Sequence, residues 1–126
     1  MHAPALPLLL KSTTGWVFVD LRSILCLRAE DKYARLHRTD GSSLVVLHTL
    51  NDLEARIGCN ARIGDLLFVR AHRSSIVAIH HACAIHDHQE IEFRNGERIS
   101  FSRRLWPLLR ELAGTIHATP SALHTA

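Results

Sequence analysis

Apolar residues in this chain come in bursts of four to seven positions, alternating or continuous, and a turn residue closes each burst. Runs of that length match strands and fall short of the 10 to 12 residues a helix usually needs, so the backbone must satisfy its polar groups mostly in sheets. The pattern predicts ten strands, at 8–11, 16–19, 24–30, 32–38, 43–47, 67–71, 75–79, 82–86, 90–94 and 98–101. Asp40-Gly41 and Asn95-Gly96 each lie between such runs, and pairs of this kind are expected to supply the positive dihedrals of a tight hairpin.

Two segments depart from the strand period. In 49–57, Leu50, Leu53 and Ile57 recur at helical spacing behind a cap-like Thr49 with Asp52 three residues on, which predicts a short helix ended by Gly58. From Ser102, the residues Leu105, Leu108, Leu109 and Leu112 share one helical face up to Gly114, and Pro107 makes this helix start late or kink. The expected architecture is therefore mainly β, about ten strands in antiparallel sheets with one short helix and a C-terminal helix. At 126 residues the chain suits a single domain. We expect residues 1–20 to form an extension able to add strands, since Gly15 between apolar runs suits a hairpin, 21–114 to form the domain proper, and 115–126 to be a flexible tail.

With 47% apolar and 21% charged residues, the composition is that of a globular protein and excludes a disordered chain. The longest apolar stretch, 3–10, holds two prolines and is far shorter than the roughly 20 residues of a membrane helix. Met1-His2 lacks the basic start of a secretory signal, so the expected compartment is the cytoplasm. Three cysteines with no close spacing, Cys26, Cys59 and Cys83, predict free thiols, with Cys26 and Cys83 in strand cores as small hydrophobes.

Net charge is only +3, but thirteen of the fifteen basic residues are arginines, whose planar fork grips phosphates and guanine edges bidentately. Three basic clusters flank turns: Arg28, Lys32, Tyr33, Arg35 and Arg38; Arg70, His72, Arg73 and Ser74; and Arg103 with Arg104. Each joins a cation to a hydroxyl or ring donor, the mixture that phosphate oxygens and base edges accept. The same clusters serve equally as solvated strand ends, so spacing alone leaves both readings open.

The run from Ile24 to Leu36, followed by Asp40-Gly41, resembles the opening of the LytTR-type DNA-binding domains, output modules of bacterial response regulators in two-component systems. In the same order, 49–54 is similar to the family's short helix, 68–74 (Phe-Val-Arg-Ala-His-Arg-Ser) to its central signature, and Asn95-Gly96 through Arg104 to its closing one. The resemblance covers about 21–112 and implies an elongated stack of small antiparallel sheets whose loops enter successive major grooves. It implies DNA contacts near Lys32 and Tyr33, on Arg73 with His72 and Ser74, and on Arg103, the first choice for a base contact. Arg35, Arg38, Arg70 and Arg104 follow as phosphate contacts or structural partners. It further implies transcription regulation, double-stranded DNA with paired direct repeats, a second copy on the same site, and a separate sensor or membrane regulator. Ser75 and Ala78 depart from the family's large residue and asparagine, so packing after Arg73 is expected to differ. Whether the chain is a free-standing regulator or a fragment is left open by the sequence.

Ten histidines raise an alternative, a metal- or ligand-responsive module built on the 80–88 segment, with His80, His86 and His88 as candidate ligands. Tetrahedral zinc needs about four converging ligands, whereas alternate strand residues point to opposite faces and would split this set. No metal or other cofactor is expected. Full protonation of the ten rings would raise the formal charge from +3 to at most +13, so DNA affinity is expected to rise as pH falls. Catalysis is not expected, because the sequence has no nucleophile elbow, phosphate-cradling glycine loop or paired-carboxylate motif.

Overall fold

The computed structural model describes residues 7–116, with side chains to Glu111. Eleven strands and two helices follow in the order β1 (Pro7–Lys11), β2 (Trp16–Asp20), β3 (Ile24–Glu30), β4 (Tyr33–Arg38), β5 (Ser43–Val46), α1 (Leu50–Ile57), β6 (Arg62–Ile63), β7 (Leu66–His72), β8 (Ser75–Ala78), β9 (Ala82–His86), β10 (Glu90–Phe93), β11 (Arg98–Ser100) and α2 (Trp106–Ile116). Short 3-10 turns at Leu21–Ser23, Ile79–His81 and Arg103–Leu105 join some of them. The strands make three antiparallel sheets: β1-β2, a six-stranded β5-β4-β3-β8-β7-β6, and β11-β10-β9.

The six-stranded sheet divides two cores. On one face, Leu27, Leu36, Ile76, Ala78 and Phe68 pack with Leu10 and Val19 of the β1–β2 hairpin and with Leu50, Leu53 and Ile57 of α1. On the other, Cys26, Val69, Ala71 and Val77 pack with Ile91, Phe93 and Ile99 of the small sheet and with Phe101, Leu105 and Leu109. Period-2 alternation in β7 and β8 sends successive side chains to the two cores, which is why both strands read as continuous apolar runs. The three exposed large apolar side chains among the described residues, Leu9, Trp16 and Phe18, lie on the outer face of the β1–β2 hairpin.

The first helix begins and ends as its sequence dictates. Thr49 accepts from the Asp52 N–H at 3.1 Å, and Gly58 closes the helix in the left-handed region at φ +83°. The second starts late: Ser102 caps a 3-10 turn, and α2 begins at Trp106 with Pro107 in its first turn, where a missing N–H costs no helical bond. This helix runs to Ile116, two residues into the expected tail; the rest of that tail and residues 1–6 lie outside the described residues.

Three expectations are corrected. An eleventh strand, β6, escaped the sequence pattern because two residues, paired as Arg62↔Leu67 and Ile63↔Leu66, cannot display an alternation. In the two hairpin loops only Gly41 and Gly96 take positive φ; Asp40 and Asn95 instead accept from the Ser42 and Glu97 N–H groups at 2.8 and 3.0 Å. These are three-residue loops closed by a left-handed glycine, with the polar residue acting as a turn acceptor. Cys26 is buried as expected, but Cys83 is exposed. The register shift at Glu92/Phe93 pairs Ala84 and Ala82 with β10 and skips Cys83, which turns to solvent. No helix among the described residues is long and apolar enough to cross a membrane.

Candidate nucleic-acid interface

Each of the three basic clusters has members at a tight turn, and the backbone joins the turns to one another. The β3–β4 turn uses Asp31 at φ +54°, a left-handed position that a short polar side chain tolerates, and places Lys32 with its ammonium 5.5 Å from the Tyr33 ring. The Ala29 N–H donates to the Ser74 carbonyl at 2.8 Å, fixing this hairpin beside the β7–β8 turn. The Ser102 N–H donates to the Ala71 carbonyl at 2.9 Å, which brings the Ser102–Leu105 turn to the other side of the same strand end. A fourth turn continues the row: the Phe101 N–H donates to the carbonyl of Gln89, itself at φ +65° between β9 and β10.

In the central turn, His72 Nδ1 accepts from the Ser74 N–H at 3.3 Å and lies 2.9 Å from Ser74 Oγ, so the ring proton belongs on Nε2. Arg73 is exposed. Arg70 behaves differently: its side chain is 19% exposed and turns back to α1, donating to Glu54 Oε1 at 2.7 Å and Asn51 Oδ1 at 3.0 Å. The same guanidinium donates to the carbonyls of His72 at 3.0 Å and Arg73 at 2.7 Å. Arg103 is exposed and directs its Nε to Gln89 Oε1 at 3.4 Å, while the Gln89 amide donates to the Phe101 carbonyl at 3.3 Å. Arg70, His72, Arg73, Ser102, Arg104 and Leu105 help line one groove of about 460 Å³ between the second and third clusters.

The turns thus bring together Lys32, Tyr33, His72, Arg73, Ser74, Arg103 and Arg104. Arg35 stands off the row on the outer face of β4, opposite Arg28, paired with Glu30 at 2.6 Å and donating to Ser43 at 3.1 Å. The Arg35 hydrogen bond holds the Glu30 carboxyl below its usual range. Arg38 lies at the other end of β4, five residues or roughly 16 Å from Tyr33, and donates to Ser42. Asn51, Glu54 and Gln89 escaped the sequence reading. The first two lie three residues apart on a flank of α1 beside its buried face, a spacing that could have flagged them; Gln89 carries no comparable signal.

The metal reading loses its basis. Among the described residues no group of three or more histidine, cysteine or carboxylate side chains is placed to hold an ion. His80 Nδ1 accepts from the Leu67 N–H at 3.0 Å, whereas His86 and His88 pair with Glu92 and Glu90 at 2.7 and 2.8 Å on the small sheet. Burial pushes His80 down to about 4, and burial together with Arg28 lowers His37, so +13 is not reached in mild acid.

The family model of the LytTr DNA-binding domain matches residues 14–114. Among solved structures, the chain is similar to the LytTr DNA-binding domain of a protein from Bacillus cereus described as a methyl-accepting/DNA response regulator. The identity is 28% and the TM-score 0.66, covering 89% of this chain and 99% of that one. No curated protein matches. The family match extends across all four linked turns, and the chain belongs to the LytTR family of DNA-binding domains.

Proposed function

We propose that the chain binds specific double-stranded DNA through its row of turns and regulates transcription as the output module of a response regulator. The observation that carries this reading is the pair of main-chain bonds, Ala29 to Ser74 and Ser102 to Ala71, that unites three separate basic turns into one surface. Lys32 and Tyr33, then His72, Arg73 and Ser74, then Arg103 enter successive major grooves, with Arg103 and Arg73 reading base edges. Arg104 contacts phosphates and adds affinity without sequence information, whereas Arg35, its fork held by Glu30 and Ser43, serves as a structural partner. Family membership and the description of the Bacillus cereus protein support the assignment. The reading further includes paired direct repeats as the target, a second copy on the same site, a separate sensor and a cytoplasmic location, with neither cofactor nor catalysis.

The test is a duplex selected from a random pool by the full chain, titrated at several salt concentrations. Counterion release predicts affinity falling linearly on a log–log plot, with a slope of about −0.9 per neutralised phosphate. A chain that enriches no sequence, or whose affinity ignores salt, is not a duplex reader.

A further inference from the structure

We infer that Arg70 is a positioning residue: it shapes the His72–Ser74 turn from behind and does not itself touch the duplex. This rests on the DNA-binding reading above. Four of the five guanidinium N–H groups have protein acceptors, in Asn51, Glu54 and the carbonyls of His72 and Arg73. At most one donor is left for an outside ligand, and a fork already engaged by a carboxylate cannot meet a phosphate bidentately.

The bonds also set the polarity of the turn. The carbonyls of His72 and Arg73 point to Arg70, and that of Ser74 points to the Ala29 N–H. Three successive peptide dipoles therefore direct their negative ends into the protein, away from where a phosphate or a guanine acceptor would approach. Glu54 anchors the guanidinium to α1, so the helix fixes the cation and the cation fixes the turn. The register shift between Arg70 and His72 interrupts the β7–β8 ladder at Ala71 before pairing resumes at His72↔Ser75, so this side chain adds a constraint where the ladder is irregular.

The most telling variant is Glu54→Gln. Removing a negative charge from a duplex-binding protein should tighten binding if only charge mattered. The positioning role predicts the reverse: roughly tenfold weaker binding to the selected duplex, because the charge-assisted anchor is lost, with the salt slope unchanged. Arg70→Lys keeps the charge but cannot span four acceptors, and should lose affinity similarly with the wild-type slope. Arg73→Ala is the contact control, and it should weaken binding to the selected duplex by roughly tenfold to a hundredfold and to random duplex much less. Thermal unfolding of each variant establishes that it is folded at the assay temperature; if Arg70→Lys is not, the Glu54→Gln result decides.

Tighter or unchanged binding by Glu54→Gln, or full affinity in Arg70→Lys, overturns the inference while leaving the DNA-binding reading intact. Failure of the wild-type chain to enrich any duplex overturns both.

Discussion

Arg103 presents an exposed guanidinium at the third turn, and its orientation depends on a partner rather than on packing. If it reads a base bidentately, Arg103→Ala should cost about 1 to 3 kcal/mol on the selected duplex and much less on random DNA, measured by parallel titrations. Gln89→Ala removes the acceptor at Arg103 Nε without changing charge. It should weaken specific binding by about threefold to tenfold, the worth of one ordinary hydrogen bond, and leave the salt slope as it was. His80 carries a prediction about acid. Its ring lies edge-on to Phe68 and is held at about 4 against an ordinary 6.5, mainly by burial. Above about pH 6.5 neither folded nor unfolded chain is protonated there; between about 6.5 and 4 the unfolded chain takes a proton that the folded chain refuses, so stability falls with pH by at most about 3 kcal/mol. Chemical denaturation across that window should show the loss. His80→Asn, which keeps an acceptor for the Leu67 N–H and cannot titrate, should flatten it.

At the level of elements, α1 is the piece on which the central turn depends, because it holds both side chains that anchor Arg70. Thr49→Ala deletes its cap and should destabilise the fold by about 1 kcal/mol in denaturant titrations, with no change in burial to confuse the result. Elements of this kind were legible in the sequence because their determinants are local: a threonine before a leucine repeat, a glycine after it, a proline that fixes where α2 starts. Strand ends were placed within a residue or two for the same reason. The two-residue β6 and the register shifts in β9 and β7 were illegible, since both are set by the partner strand. Cys83 illustrates the cost of that blindness, a residue in an apolar run that a bulge turns outward.

At the scale of the molecule, the basic clusters could be listed from the sequence, but not their union. Residues 29 and 74 meet only because β3 lies beside β8, and 71 and 102 only because the segment after β11 packs against the face of β7. Nor could the sequence distinguish an arginine facing outward, such as Arg73, from Arg70, which turns back to α1 with four hydrogen bonds to the protein. Charge at this scale governs acid stability as well. Hydrogen bonds from Arg56, Ser42, Arg35, His88 and His86 hold Asp52, Asp40, Glu30, Glu90 and Glu92 respectively below their usual values. The stability these carboxylates contribute is present above their ordinary range near pH 4 and is lost as pH falls further, so acid unfolding of the full chain should continue below the window assigned to His80.

The cross-links between distant turns have a last consequence, for mimicry. A short peptide copying any one turn would carry its arginines but none of the bonds that aim them, and should attach to nucleic acid only as a flexible polycation, indifferent to base order. On the proposed reading, recognition is a property of the finished sheet, so excising a piece of the chain removes the address while keeping the glue.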